Sequence, residues 1–309
     1  MILCLRAFPR RSPEIIAIFL YLVARILRLL CRKLPLRVSY ASASFLAEVT
    51  YILWRKGRTN LKRNTARVLG PQTSQSQIAY YSRLCMRNYL KYVVDFLRSL
   101  PSEPEERAKK LNIEGTENLD EALKEGKGVV LVSLHFGHWD FGVMEIAFRG
   151  YPVNAVVDHI CGMRVSSFVD RLRSMSGMQI IAARDGITKM ISQLRKNELV
   201  GMLVDTAKYG RGVKVELCGS PIVVPAGAAV LALRTGAKII PTSAVRLPDN
   251  TIRVIFGKQI SFQGISDFSR DIQVLMQKVW HELEKLVKEY PEQFYVFHNL
   301  DPPKKSVQF

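Results

Sequence analysis

Residues 128–140 read GVVLVSLHFGHWD, and this stretch decides the fold. Its first half is a continuous apolar run rich in β-branched valine, the composition of a strand buried on both faces. Its second half turns polar at once, through His135, Gly137, His138 and Asp140, before the apolar segment 139–148, which reads as a helix. A buried strand that passes through a polar turn into a helix is the start of a β–α unit, and the chain downstream repeats the theme. Strand-like runs occur at 153–157, 178–181, 199–204, 213–217, 239–245 and 252–256. Helical stretches at 165–174, 187–196 and 226–233 separate several of them, and a last helix is expected over 272–289, ending before Pro291. Such alternation predicts an α/β domain, here 111–309, with a largely parallel sheet.

In an open α/β sheet, ligands bind just past the carboxyl ends of strands. Two polar clusters stand at such ends. The first is residues 135–140. His135 and Asp140 would point about 140° apart on one continuous helix. They meet only if His135 lies on the strand-to-helix turn and Asp140 in the first helical turn, and Gly137 permits that turn. A carboxylate on one imidazole nitrogen fixes the tautomer and leaves the other nitrogen basic. The pair is therefore a candidate general base, with His138 expected to face substrate. No G-x-S-x-G motif accompanies it, so direct attack by a hydroxyl fits better than a covalent enzyme intermediate. Two other readings stay open: His135 as a plain helix cap, and His135, His138 and Asp140 as metal ligands, although no further ligand cluster is evident. The second cluster is Asp205, directly after the 199–204 run, where capping or a turn is the simpler role for an isolated Asp.

The charge is unevenly placed. Residues 1–70 hold fourteen Lys or Arg against two acids, Glu14 and Glu48, a net +12 of the chain's +18. Such a concentration favours anionic partners. Within it, residues 15–31 read IIAIFLYLVARILRLLC, with an uninterrupted apolar run of only ten residues, 15–24; a spanning helix needs about 20. Arg25, Arg28 and Arg32 follow at helical steps and share one face, opposite Ile26, Leu27, Leu29 and Leu30. Residues 1–37 thus read as a basic amphipathic helix lying on an anionic membrane surface. A short spanning anchor and a cleaved leader are the competing readings, the latter weakened by five basic residues before Ala41-Ser42-Ala43. Residues 38–110 read as a helical segment, with helices expected at 57–69 and 77–100. The five cysteines are widely spaced, with no C-x-x-C pair, which fits small buried thiols in a reducing compartment.

The stretch 126–140, with its His135-x4-Asp140 core, resembles the late acyltransferases of lipid A biosynthesis, the lauroyl and myristoyl transferases, which share it with the mycobacterial phosphatidylinositol mannoside acyltransferases. The similarity extends through 112–123, Arg184-Asp-Gly186, Leu203-Val-Asp205, Gly219-x5-Pro225-Ala-Gly227, Arg234-Thr-Gly-Ala237, Pro241, Tyr290-Pro-Glu-Gln-Phe294 and His298. It covers roughly residues 58–300. The resemblance implies a glycerolipid-acyltransferase-like α/β/α sandwich with an N-terminal membrane-associated helical segment at the cytoplasmic face of the bacterial inner membrane. It implies an acyl carrier protein or CoA thioester as donor, a hydroxyl of a lipid A precursor or another glycolipid as acceptor, and no cofactor or metal. By the same resemblance His135 is the base, Asp140 orients it, Asp205 supports it or the acceptor, and Arg173, or failing that Arg171, faces the oxyanion. Three departures bear on the acceptor: Asp140 where the lipid A branch has Glu and the mannoside branch Asp, His138 where Asn is common, and Asn299-Leu300 where an Arg and an aromatic residue often follow the histidine.

Two readings of another class remain. A pI near 9.9 suggests nucleic-acid binding, but the cations cluster with an apolar helix and no binding motif is present, so no nucleic-acid partner is expected. A thioester hydrolase would use the same two residues to activate water.

Overall fold

The computed structural model describes residues 13–101, 103–158, 163–207, 212–262 and 267–302. In chain order the strands are β1 (Leu111–Glu114), β2 (Val129–Ser133), β3 (Val153–Val157), β4 (Gln179–Ala182), β5 (Leu199–Leu203), β6 (Val213–Leu217), β7 (Ser220–Val224), β8 (Lys238–Arg246) and β9 (Ile252–Phe256). Seven form one sheet in the order β1-β9-β8-β2-β5-β3-β4. β2 lies between β5 and β8, parallel to both, and all five of its residues are buried, as its unbroken apolar run requires.

The sheet is less uniformly parallel than the alternation suggested. β9 runs antiparallel to β8 and carries β1 parallel to itself. The link from β8 to β9 is a tight turn closed by Leu247 N–H to the Thr251 carbonyl (2.8 Å), with Asn250 at φ 67°. A link this short can join only antiparallel neighbours. β6 and β7, the latter not evident from hydropathy because Pro221 interrupts it, form a separate hairpin. Its turn residues Cys218 and Gly219 both have positive φ (51° and 72°), matching the right-handed strand twist.

The helices are α1 (Pro13–Lys33), α2 (Leu36–Leu53), α3 (Arg55–Leu69), α4 (Gln75–Arg98), α5 (Pro104–Ala108), α6 (Thr116–Lys124), α7 (Trp139–Phe148), α8 (Met163–Ser174), α9 (Gly186–Arg195), α10 (Gly227–Thr235) and α11 (Phe268–Glu289). Alternate residues of β2 serve two cores. Val130 and Val132 pack with Leu194 of α9, Leu231 of α10 and Trp280 of α11. Val129 and Leu131 pack with Leu119 of α6 and Phe141 and Met144 of α7. The sheet is thus layered by helices on both faces.

α4 begins at a capping box, Ser74 with Gln77, and its inner face forms a third, tyrosine-rich core with Leu61 of α3, Phe168 and Leu172 of α8, and Tyr295. α1 and α2 rest on α4 and leave apolar side chains exposed, among them Phe19, Ile26 and Leu29 of α1 and Phe45 and Leu53 of α2, the last two more than 70% exposed. Arg28, half-buried in α1, reaches the exposed Met175 Sδ (3.7 Å) beside α8. Among the described residues no helix is long and apolar enough to cross a membrane. Cys31, Cys85 and Cys218 are free thiols; Cys4 and Cys161 lie outside the described residues.

Candidate active site

The site begins from strand register. β2 and β5 pair in parallel with Ser133 opposite Leu203, so His135 and Asp205, each two residues further on, emerge side by side at the strand ends. Asp205 is fully buried. Its Oδ1 and Oδ2 lie 2.9 and 3.0 Å from His135 Nδ1, and Oδ2 also accepts the His135 backbone N–H (3.1 Å). Burial alone would raise the Asp205 pKa, but His135, by charge and by hydrogen bonds, holds this carboxyl below its usual range. Asp205 therefore stays ionised and fixes Nδ1 as the protonated nitrogen. The His135 ring is 38% exposed, and its Nε2 is the nitrogen left for an incoming group.

The carboxylate expected to orient His135 is engaged elsewhere. Asp140 lies in the first turn of α7, as anticipated, but its Oδ1 accepts from Arg173 Nε (2.6 Å) and its Oδ2 from Tyr92 Oη (2.6 Å). The reason is direction: a helix that starts at Trp139 carries the Asp140 side chain toward α4 and α8, while the imidazole turns to β5. Trp139 stands between the two groups, edge-on to His135 (5.2 Å) and nearly stacked on Tyr92 (4.1 Å). Arg173 keeps its charge firmly: burial would lower its pKa, and Asp140 more than offsets that. Arg171, the second arginine considered, is exposed on the outer side of α8 and is not brought into the site.

His138 is also placed differently from expectation. It is fully buried, its Nε2 2.9 Å from Asp95 Oδ2. Asp95, on α4, further accepts from Tyr40 Oη (2.8 Å), Lys110 Nζ (2.9 Å) and the Arg246 guanidinium. Burial pushes the His138 pKa down to about 4, so it is neutral at physiological pH and faces no substrate. His135, His138 and Asp140 thus point at three different partners. No group of three metal-ligating side chains occurs among the described residues, and the shared-ligand reading fails on this geometry.

The loop carrying His135 is held by a segment from the far end of the chain. Tyr295 N–H donates to the His135 carbonyl (2.7 Å), Gly137 N–H to the Gln293 carbonyl (3.0 Å), and Phe136 bridges to Phe294. Gly137 sits at φ 56°, and a Cβ there would lie 1.9 Å from the Ala244 carbonyl oxygen, so only glycine fits. The Gln293 amide exchanges two hydrogen bonds with the Arg246 backbone, each 2.8 Å. Asn64 of α3 fixes the carbonyls of Val296 (2.9 Å) and His298 (2.8 Å), and the His298 ring bonds the Asp205 backbone. Of the strap that holds the loop, the sequence singles out the 290–294 motif and His298; Asn64, Tyr92, Asp95 and Arg246 carry no local signal.

A small cavity of about 60 Å³ lies against the sheet, lined among others by Trp139, Asp140, Arg173, Leu131, Ala155 and Gly201. Ala155 and Gly201 are register partners, one bearing only a methyl and the other no side chain, which leaves room for the hollow.

A histidine fixed through one nitrogen and open at the other has the geometry that base-assisted attack by a hydroxyl requires. The chain belongs to the bacterial lipid A biosynthesis acyltransferase family, whose profile matches residues 7–300. Among curated proteins it is similar to a phosphatidylinositol mannoside acyltransferase of Mycobacterium tuberculosis (strain CDC 1551 / Oshkosh), 28% identical over 201 residues, which cover 62% of this chain and 62% of the relative. A protein of the same name from Mycolicibacterium smegmatis is 24% identical over 205 residues, 65% of this chain and 67% of the relative. The chain therefore spans somewhat less than two thirds of the length of the Mycobacterium tuberculosis relative.

Proposed function

We propose that the protein transfers a fatty acyl chain from an acyl carrier protein or CoA thioester to a hydroxyl of a glycolipid, and that the acceptor is a lipid A precursor. The observation that carries the reading is the His135 Nδ1–Asp205 pair with Nε2 left open at the end of β2. In the proposed reaction Nε2 takes the acceptor's hydroxyl proton as that oxygen attacks the thioester carbonyl carbon. The oxyanion forms against Arg173, which Asp140 holds in the cavity lining. Collapse breaks the C–S bond, and the thiolate recovers the proton from His135. Asp205 stabilises the transient imidazolium without accepting its proton. The acyl chain starts in the hollow over Ala155 and Gly201, which must widen to take it.

A second acceptor, a phosphatidylinositol mannoside, is favoured by the names of the relatives. Incubating the protein with a radiolabelled acyl thioester and each purified acceptor tests both. Acylated lipid A precursor is the expected product. Acylation of the mannoside alone would move the acceptor, and release of free fatty acid alone would overturn transfer in favour of hydrolysis.

The same reading places the chain on an anionic membrane surface, the cytoplasmic face of the bacterial inner membrane, through the exposed apolar side chains of α1 and α2 and the neighbouring cations Arg25, Arg32, Lys33, Arg55 and Lys56. Replacing Phe45 and Leu53 by Glu should abolish sedimentation with phosphatidylglycerol vesicles. Undiminished binding would count against this surface.

A further inference from the structure

Two halves of the site must hold a fixed spacing: the base, His135, and the anchored guanidinium, Arg173. One side chain from outside the α/β layers touches the supports of both. Tyr92 of α4 is buried. Its hydroxyl donates to Asp140 Oδ2 (2.6 Å), whose other oxygen takes Arg173 Nε (2.6 Å). Its ring lies against Trp139 (4.1 Å between centroids, 32° between planes), and that indole in turn meets the His135 ring in an edge contact at 5.2 Å. Burial, and after it the Asp140 charge, raises the Tyr92 hydroxyl well above the ordinary tyrosine pKa, so at neutral pH it is a donor.

The consequence for Asp140 is geometric. Arg173 reaches both Asp140 oxygens, Nε to Oδ1 at 2.6 Å and Nη2 to Oδ2 at 3.4 Å; the second is long for a hydrogen bond, so the Tyr92 hydroxyl supplies the short bond that stops the carboxylate pivoting about its Cβ–Cγ bond. Arg173 has its nearest other carboxylate at Asp170, Nη1 to Oδ1 3.8 Å, beyond a good hydrogen bond. Its aim therefore follows Asp140.

We propose that Tyr92 is a positioning residue that sets Arg173 through Asp140 and His135 through Trp139. It touches no reacting atom. This rests on the proposed acyl transfer, and it is tested by changes relative to the wild-type rate in that reaction.

The test is Tyr92→Phe, which keeps the ring and removes only the hydroxyl, assayed alone and combined with Arg173→Ala. Tyr92→Phe should lower kcat about 10- to 100-fold with donor KM within about twofold and little change in melting temperature. In the Arg173→Ala background the same substitution should cost less than about threefold, because residues acting through one another are not additive. Tyr92→Trp, which restores a donor N–H but not its position, should not rescue. A Tyr92→Phe rate within twofold of wild type would overturn the proposal. So would a full additional loss in the double variant, the mark of a purely structural role. A wild-type protein without acyl transfer fails the proposed function itself, before either comparison is made.

Discussion

Two histidines three residues apart in one loop meet opposite fates. His135 has one nitrogen on a buried aspartate and the other half of its ring in the open. His138 has a buried aspartate as well, but it is enclosed completely, between α4 and the end of β8. The carboxylate partner is common to both; access is not. A His–Asp pair can serve as a base only where the second nitrogen can be reached, and where it cannot the same pair is a structural joint. Asp95 joins α2, α4, the loop and β8 at one point.

The comparison breaks most sharply at its exposed member. His135→Ala should reduce acyl transfer by about 10³-fold or more while the circular dichroism spectrum and melting curve stay near wild type; retained turnover would remove the base from the scheme. Asp205→Asn follows, with a loss of about 10² to 10⁴ in kcat and a much smaller change in acceptor KM. Asp140→Asn should lose less than Asp205→Asn, because it loosens Arg173 and not the base. The reverse ranking, measured under the same conditions, would restore the pairing the sequence suggested.

The enclosed member should respond in stability first. Asp95→Ala leaves Arg246 and Lys110 without their buried carboxylate and should cost about 3–5 kcal/mol in denaturant unfolding, with the activity of the remaining folded protein largely kept. The smallest effect is with pH. His138 has a folded pKa of about 4 against an ordinary value of 6.5. Between those values the unfolded chain binds the proton and the folded one does not, so stability is complete above pH 6.5 and falls as pH drops toward 4. The loss should reach about 2–3 kcal/mol. His138→Gln should flatten this part of the profile, and an unchanged slope would show that other groups produce it.

Much of the frame was legible because its signals are local. The valine run of β2, the Gly137 turn and the apolar start of α7 are consecutive, and each gives its element away. The acidic end of β5 was visible for the same reason. What stayed hidden was pairing across distance. Asp205 lies 70 residues from His135, and only the parallel register of β2 with β5 makes it the nearer carboxylate; five-residue spacing favoured Asp140 instead. Tyr92 and Asp95 look like ordinary members of a helix face, and the partners that make them part of the site lie more than 40 residues away. The reversal of β9 was legible in principle, since the stretch between β8 and β9 has no room for a crossover helix.

The strap formed by residues 293–298 is what finishes the His135 loop, through Gln293, Phe294 and Tyr295. Synthesis proceeds from the amino end, and domains begin folding as they emerge. The central strands can therefore assemble on the ribosome while the His135 loop is still loosely held, and that loop is finished only once a strap made about 160 residues later has docked on it.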